Sequence, residues 1–432
     1  MTVTRRFFLR ATGLAAAYCA LSPLDLLAGD VVAASQPAAT PVRKGKTLVV
    51  IFLRGGTDGL NLVVPYREQQ YYAMRKSLAV PPPGAEGGAI ALDERFALHP
   101  RLAALQDAFE KQYAVALHAV GYDRNSRSHF EEQDVWETGL VGNTLESDGW
   151  LNRHLATSTG QGVIRAVAIG DSLPRILRGD VPAYAIRGLD DLTLPDSATD
   201  RKAVMSALEH AYRGRQEADA MQAQRSRQLL ADTGRATLDS LRELQAVAEM
   251  PYEANAEYPN TSLARRLREA ARLIRADIGG EVIELDRDGW DTHNNQGAGA
   301  GGTFGSLAQQ FGDAVAAFTR DIEDRLDDVM VITLSDFGRT AAENGTRGTD
   351  HGWGNCLFAF GGPVRAAQRD EARPVITDWP GLAPDQLHDG RDLKHTLDFR
   401  DVLGQVVRTH LGNAQLDRIL PGHACKPLDF IA

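Results

Sequence analysis

The sequence predicts an α/β fold in which a mainly parallel central sheet is flanked by helices. Short apolar runs lack the alternation of half-exposed strands, which is typical of parallel strands covered on both faces. Helical periodicity lies between several of these runs, and such alternation of strands and helices favours a parallel sheet. Glycine-rich polar motifs follow the runs directly, as expected where parallel strands end at a binding site.

The elements can be placed in chain order. Apolar residues at three- and four-residue steps from Phe304 to Leu326 predict a helix that leads into a strand. Another helix is predicted over 129–138. Residues 197–277 are rich in helix-forming types and are interrupted at Pro251 and Pro259, which predicts a helical insertion within a domain spanning 47–432. The predicted strands are 47–53, 113–120, 163–169, 281–285, 329–334 and 357–360.

Composition excludes several classes of function. Hydrophobic residues make up 43% and charged residues 24% of the 432 residues, which is enough apolar material for a sizeable core. Lys and Arg number 47 against 57 Asp and Glu, a formal net charge of −10, so no basic footprint for nucleic acid is expected. Three cysteines are too few for a disulfide framework or a thiolate zinc cluster.

The first 34 residues predict an export signal. Arg5 and Arg6 form a twin-arginine motif before an alanine-rich apolar run, and small residues suit cleavage after Ala34. Residues 35–46 read as a linker. We therefore expect the twin-arginine translocase as a partner and a periplasmic or secreted protein. No membrane span is expected after cleavage, because no later segment reaches about 18 uninterrupted apolar residues.

Two cysteines, Cys356 and Cys425, remain after the predicted cleavage. They could pair in an oxidising compartment, whereas burial as small hydrophobic residues is the default expectation.

Polar residues follow four of the predicted strands. Carboxylates, imidazoles and a hydroxyl would therefore meet at one edge of the sheet. Carboxylate and imidazole together suit zinc or manganese, and carboxylates alone suit magnesium or calcium, so a divalent metal cofactor is predicted. A bound metal can deprotonate a neighbouring hydroxyl and stabilise the charge of a transferring group. The segments are 54–61, 121–129, 286–293 and 335–340, the last followed by 348–352.

Each motif also has a purely structural interpretation. Residues 55–59 could form a tight turn, for which Asp and Gly are the expected residues. Ser128 and Glu131 have the spacing of a capping box for the 129–138 helix. Asp350 and His351 could form an ion pair within a loop.

Taken together, the motifs resemble one bacterial family, exported by the twin-arginine route and numbered fifteen-oh-one among the domains of unknown function. That family looks like a distant branch of the alkaline phosphatase superfamily, which includes sulfatases, and it implies an alkaline-phosphatase-like fold. The motifs that carry the resemblance are Arg54-Gly55-Gly56-Thr57-Asp58-Gly59, Ser126-Arg127-Ser128-His129-Phe130-Glu131, Glu137-Thr138-Gly139, Trp290-Asp291-Thr292-His293, Ser335-Asp336-Phe337-Gly338-Arg339-Thr340 and Gly348-Thr349-Asp350-His351-Gly352.

The resemblance implies a role for individual residues. Ser128 would be the nucleophile, with Ser126 as the runner-up, and the start of a helix would favour an anionic group. Arg54, Arg339 or Arg127 would clamp that anion. The implied metal ligands are Asp58, Asp291, His293, Asp336 and His351.

The sequence departs from the superfamily pattern in two respects. Asp291 and His293 are two residues apart rather than four, and Asp288 precedes His293 by five. Phe337 stands where a second metal-binding histidine usually follows Asp336. Alternatively, Asp350-His351 is the metal-binding pair and Asp336 supports it from outside. A single-metal or degenerate site is compatible with these departures.

Two functions follow from the sequence. The first is an exported, metal-dependent hydrolase or transferase that acts on a small anionic ester of phosphate or sulfate through a serine nucleophile. The second is a catalytically degenerate, exported binding or assembly protein that retains the fold.

Overall fold

The computed structural model describes residues 40–41, 45–142, 148–160, 162, 164–192, 239–297, 301–368 and 372–432. The predicted signal peptide and most of the linker lie outside the described residues, as do residues 197–238 of the predicted helical insertion.

A nine-stranded sheet forms the centre of the fold. Its strands are β1 (Thr47–Leu53), β2 (Ala114–Gly121), β3 (Ala166–Ile169), β4 (Tyr184–Ile186), β5 (Val282–Arg287), β6 (Val329–Ser335), β7 (Asn355–Gly361), β8 (Val375–Ile376) and β9 (Leu397–Asp398). Their order in the sheet is β8–β2–β7–β6–β1–β5–β3–β4, and β9 also pairs with β2. Every pairing of β7 is antiparallel and the other pairings in this sheet are parallel, so the predicted mainly parallel sheet is confirmed.

The predicted strands match β1, β2, β3, β5, β6 and β7, whereas the short β4, β8 and β9 carry no such apolar run. All seven residues of β1, β6 and β7 are buried, which explains why these runs do not alternate. Smaller pairings lie outside this sheet: Thr40–Pro41 with Ser158–Thr159, and Val63–Val64 with Ala97–Leu98, which also pairs with Ile90–Ala91.

Helices cover both faces of the sheet. Four of them are α1 (His129–Thr138), α2 (Ser262–Ala276), α3 (Gly302–Asp321) and α4 (Phe399–Gln405). Residues 239–249 are also helical. The other helices and helical turns are Gly59–Leu62, Gln69–Met74, Pro100–Leu105, Gln106–Glu110, Trp150–Thr157, Arg175–Leu177, Leu189–Leu192, Glu323–Asp328, Gly362–Ala367, Val406–His410 and Leu416–Ile419.

Alternate residues of β1 enter two different cores. Val49 and Ile51 share one core with α2 and with the apolar stripe of α3. Leu48 and Val50 share the other with α1, α4 and the carboxyl-terminal residues. The chain therefore forms three layers, with the sheet buried between helices.

The register of three parallel strands positions the candidate site. Leu53, the last residue of β1, pairs with Arg287 at the end of β5 and with Ser335 at the end of β6. The three polar segments that follow these strands therefore start side by side. The first turn of α1 lies against them, because His129 contacts Asp336 directly after β6.

Two further sequence expectations concern cysteines and membranes. Cys356, buried in β7, and Cys425 are both free thiols and do not pair. No helix in the described part of the chain is long and apolar enough to span a bilayer.

The packing of α3 against the sheet gives a test of the core. Phe311 is fully buried on α3 and its ring lies 5.9 Å from that of Phe358 in β7. We expect Phe311→Ala to lower the free energy of unfolding by about 3–5 kcal/mol, because it leaves a cavity between layers. Phe130, which is 88% exposed, is the matched control, and Phe130→Ala should change stability by no more than about 0.5 kcal/mol. Equal losses in a denaturant titration would contradict this placement of α3.

Candidate metal centre

Two glycines after β1 allow the neighbouring segments to approach closely. Gly55 has a φ of +116°, and a Cβ built there would lie 2.6 Å from the backbone nitrogen of Asp291. Gly56 has a φ of +72°, and its Cβ would lie 2.5 Å from the ring of Phe337. Only glycine suits these conformations and contacts. The Gly-Gly pair thus brings the segments after β5 and β6 against the end of β1.

Three imidazoles at this edge share one arrangement: the Nδ1 atom of each ring lies at hydrogen-bond distance from an oxygen acceptor. A carboxylate or carbonyl oxygen only accepts, so each Nδ1 carries the hydrogen and each neutral ring keeps its lone pair on Nε2. Histidine ligands of metals are oriented in this way by their other ring nitrogen. The contacts are His129 to Asp336 Oδ2 at 2.6 Å, His293 to Asp350 Oδ1 at 2.9 Å and His351 to the Arg127 carbonyl at 2.8 Å.

The three Nε2 atoms converge on the carboxylate of Asp291. Those of His293 and His351 lie 3.0 and 3.2 Å from Oδ1, and that of His129 lies 3.5 Å from Oδ2. The Nε2 atoms of His293 and His351 are only 2.9 Å apart, which is unfavourable for two facing lone pairs. The His129 Nε2 atom is buried without a hydrogen-bond partner. The ligand atoms of His129, Asp291 and His351 all lie within 4.8 Å of one another, and His293 Nε2 adjoins those of Asp291 and His351, so these residues fit a divalent cation.

Asp336 and Asp350 orient histidines. Asp336 is buried and also accepts hydrogen bonds from Gln133 Nε2 and from the Gly55 amide, both at 3.0 Å. Burial acts to raise the pKa of Asp336, but the hydrogen bonds from His129 and Gln133 outweigh it and lower that pKa. The hydrogen bond to Asp336 in turn raises the pKa of His129. Neither Asp336, implied as a metal ligand, nor Asp350, paired with His351 as a ligand in the alternative interpretation, belongs to the group of converging ligand atoms in the described residues.

On the other side of the cluster, Asp350 accepts from Asn344 Nδ2 at 3.0 Å as well as from His293. These two hydrogen bonds, that of Asn344 first, lower the pKa of Asp350. Burial lowers the pKa of His351, which keeps that ring neutral over a wider pH range.

Arg339 stabilises the candidate metal centre through buried contacts and is not free to clamp an anion. Its side chain is fully buried and its Nη2 lies 2.6 Å from Asp291 Oδ1. Burial acts to raise the pKa of Asp291, but the hydrogen bond and charge of Arg339 outweigh it and lower that pKa. The other acceptors of Arg339 are the carbonyls of Gly55, Gly56, Trp290 and Thr349.

Arg54 is likewise engaged. Its guanidinium pairs with Glu137 at 2.9 Å and with Asp286 at 2.6 Å, and it donates to Gln133. The predicted anion-clamping role of Arg54 and Arg339 is therefore not supported by their contacts. Among the implied clamps, Arg127 differs, because its side chain is 28% exposed while it pairs with Asp392.

Asp58, implied as a metal ligand, pairs with a protein cation instead. Arg75 Nη1 lies 2.6 Å from Asp58 Oδ2, and both side chains are buried. Gln296 Nε2 donates to the same oxygen at 2.6 Å. Within the described residues, Asp58 does not belong to the group whose ligand atoms converge. Asp288 is exposed after β5 and also stays outside this group.

The two candidate serines differ in their contacts. Ser126 donates its hydroxyl to Glu132 Oε1 at 2.8 Å and its amide to the same oxygen at 2.6 Å. Ser128 occupies the N-cap position of α1, directly before His129, but its side chain makes no capping hydrogen bond. The capping-box interpretation is therefore wrong for Ser128, because no bond from its side chain closes the first turn.

Sequence reasoning missed His129 and Gln133. Both lie on α1 and contact Asp336, more than 200 residues along the chain. The available signal was the position of His129 within the motif 126–131, at the start of a helix that follows a strand end. Phe337 packs against this side, with ring centroids 4.8 Å from His129 and 4.6 Å from His351. A phenyl ring thus fills the place where the superfamily resemblance implies a further histidine.

The family expected from the motifs is confirmed. A family model described as "Protein of unknown function (DUF1501)" matches residues 45–418. No curated protein matches the chain.

The solved structures that are similar to the chain include two enzymes. One is the PsFucS1 sulfatase from Pseudoalteromonas sp., at 13% identity and a TM-score of 0.31 over 74% of this chain and 62% of the sulfatase. The chain therefore spans less than two thirds of that sulfatase. The other is a mutant TAB5 alkaline phosphatase with bound Mg, at 12% identity and a TM-score of 0.26 over 75% of this chain and 92% of the phosphatase.

The contacts of Asp58 give a test of its role. We expect Asp58→Asn to leave the number of bound ions unchanged and to lower the free energy of unfolding by about 3–5 kcal/mol, because Arg75 then stays buried without its counter-charge. Elemental quantification and a denaturant titration measure the two effects. If the single variant does not fold, Asp58→Leu/Arg75→Met removes both charges and allows the ion count. Loss of an ion from either folded variant would show that Asp58 is a ligand.

Proposed function

We propose that this chain, which belongs to the DUF1501 family, is an exported metal-dependent hydrolase or transferase of phosphate or sulfate esters. The observation that carries the proposal is the convergence of three imidazole Nε2 atoms on the Asp291 carboxylate, each ring oriented through its Nδ1. Export rests on the twin-arginine motif at Arg5 and Arg6.

A single divalent ion would be held by His129, His351 and Asp291, with His293, whose Nε2 lies 3.0 Å from Asp291 Oδ1, as the fourth ligand. Three imidazoles and one carboxylate suit zinc or manganese better than magnesium or calcium. Such an ion polarises an ester oxygen and lowers the pKa of a neighbouring hydroxyl group. The orientation of the metal ligands is fixed by Asp336, Asp350 and Arg339. The affinity of a site for its metal depends strongly on contacts of this kind.

Ser128 is the better candidate for the nucleophile. It directly precedes His129, and its hydroxyl is not used to cap α1, whereas the Ser126 hydroxyl is bound to Glu132. The amino terminus of the ten-residue α1 favours an anionic group beside Ser128. In the transfer step, Ser128 Oγ forms a bond to phosphorus or sulfur, the ester oxygen leaves, and the hydroxyl proton passes to that leaving oxygen. In a hydrolase, a water oxygen then bonds to phosphorus or sulfur, the bond to Ser128 Oγ breaks, and a proton of that water passes to Oγ.

Two arginines at the rim can meet the anion. Arg391 is 41% exposed and donates to the His351 carbonyl at 2.9 Å. Arg127 is 28% exposed, and its own carbonyl orients the His351 ring. The buried Asp392 Oδ2 lies 2.7 Å from Arg127 and 3.3 Å from Arg391, which holds both guanidinium groups beside His351. Guanidinium groups recognise phosphate and sulfate oxygens through paired hydrogen bonds.

The second candidate, a degenerate binding or assembly protein, is favoured by Phe337 and by the Asp58–Arg75 pair. Both occupy positions at which the superfamily resemblance implies a metal ligand. A protein of this kind would keep the ion and the fold without turning over an ester.

The ligand set can be tested by metal content. We expect His293→Ala to lose one ion per chain relative to the unsubstituted protein, because it removes one Nε2 and releases Asp350. His388→Ala is the matched control, since His388 stacks on Trp353 outside the cluster and its loss should not change the ion count. Inductively coupled plasma mass spectrometry measures both. Equal metal content in the two variants would refute the ligand set.

The nucleophile can be tested by turnover of aryl phosphate and aryl sulfate esters. We expect Ser128→Ala to reduce kcat by at least about 1,000-fold while the ion count stays unchanged. Ser126→Ala is the control, and a fall of less than about tenfold is expected because it removes only the hydrogen bonds of its hydroxyl to Glu132 and to the Ser128 amide. Turnover retained in Ser128→Ala would exclude this nucleophile. A metal-loaded protein without turnover of any ester would favour the degenerate alternative.

A further inference from the structure

A second group of metal-ligating side chains lies outside the candidate metal centre. Asp401 belongs to the first turn of α4, and His423 and Cys425 follow it in the carboxyl-terminal segment. One ligand atom from each residue lies within 4.8 Å of those of the other two. None of the three contributes to the function proposed above.

Asp401 and His423 are already in contact. His423 Nε2 lies 2.7 Å from Asp401 Oδ1, and their side chains are only 13% and 6% exposed. The Lys426 amide donates to the same carboxylate oxygen at 2.9 Å. The Asp401 carboxylate is therefore held in place. His423 and Cys425, which are two residues apart, both lie near it and come from the same short segment.

The Cys425 sulfur sits in a space that a glycine provides. A Cβ built on Gly404 in α4 would lie 2.4 Å from Cys425 Sγ and 2.9 Å from its Cβ. Glycine within a helix costs about 1 kcal/mol relative to alanine, so its position here has a packing reason. The sulfur also lies 3.6 Å from the Arg400 carbonyl, a weak contact that leaves its ligand capacity available.

We propose that Asp401, His423 and Cys425 form a second metal site that takes a divalent ion of the zinc class. One oxygen, one nitrogen and one sulfur donor suit a borderline ion, whereas magnesium and calcium require oxygen donors throughout. Three protein ligands leave one position of a tetrahedral ion open.

The ion links the carboxyl-terminal segment that carries His423 and Cys425 to α4. Its ligands come from two segments that are 22 residues apart in the sequence, so binding closes a loop between them. The same segment already contacts α4 through the amides of Leu428 and Asp429, which donate to Gln405 Oε1. The site therefore has a structural role and is independent of ester chemistry.

Cobalt substitution distinguishes this site from the candidate metal centre. Only Cys425 supplies sulfur, so the full chain loaded with Co²⁺ should show a thiolate-to-cobalt charge-transfer absorption in the near ultraviolet. Cys425→Ser and His423→Ala should lose this absorption. Cys356→Ser and His293→Ala should keep it, because those residues lie outside the site. Loss of the absorption in His293→Ala, or its persistence in Cys425→Ser, would overturn the proposal.

A measurement on the unsubstituted chain avoids any folding defect of the variants. Zn²⁺ should slow the alkylation of Cys425 by at least about tenfold, as quantified by mass spectrometry of the modified peptide. Equal alkylation rates with and without Zn²⁺, together with no charge-transfer absorption, would show that Asp401 and His423 form only an ion pair. Because neither readout depends on ester turnover, this outcome is separate from failure of the proposed function.

Discussion

One buried guanidinium group joins the segments that form the candidate metal centre. Arg339 donates to carbonyls after β1, after β5 and in the loop that precedes His351, and it pairs with Asp291. A guanidinium buried at this depth is tolerated only when its hydrogens find acceptors. The three segments are therefore held at the distances that its planar geometry sets. The close approach of the Gly55 and Asp291 backbones fixes the distance between the segments after β1 and β5 in the same way.

The same contacts explain why this edge suits a cation. Asp291, Asp336 and Asp350 bring three carboxylates towards it, and Arg339 neutralises only one charge. Each neutral histidine already donates its Nδ1 hydrogen, so none has a hydrogen on Nε2 to offer to Asp291. A bound cation would balance the excess negative charge and separate the Nε2 atoms of His293 and His351, which are only 2.9 Å apart.

The sequence predicts features that depend on local pattern better than features that depend on distant partners. Six of the nine strands of the sheet could be predicted because burial on both faces removes alternation, and this property is visible within seven residues. Asp291, His293 and His351 could be brought together because parallel strands end at a common edge. The partners of Asp58 and His129 could not. Arg75 lies 17 residues beyond Asp58, directly after a short helix, and Asp336 lies 207 residues beyond His129, with no periodicity linking either pair.

The pairing of Asp58 with Arg75 separates folding of the core from metal supply. A carboxylate buried after β1 needs a positive partner, and a guanidinium group provides one that is permanently charged and covalently part of the chain. Chelation or a shift in metal concentration cannot remove it. The histidines and Asp291 are instead 24–45% exposed at the sheet edge, where an ion can enter after the core has formed. The Asp58–Arg75 pair therefore compensates the buried charge from within the chain, and the proposed metal ligands lie apart from it at the accessible edge of the sheet.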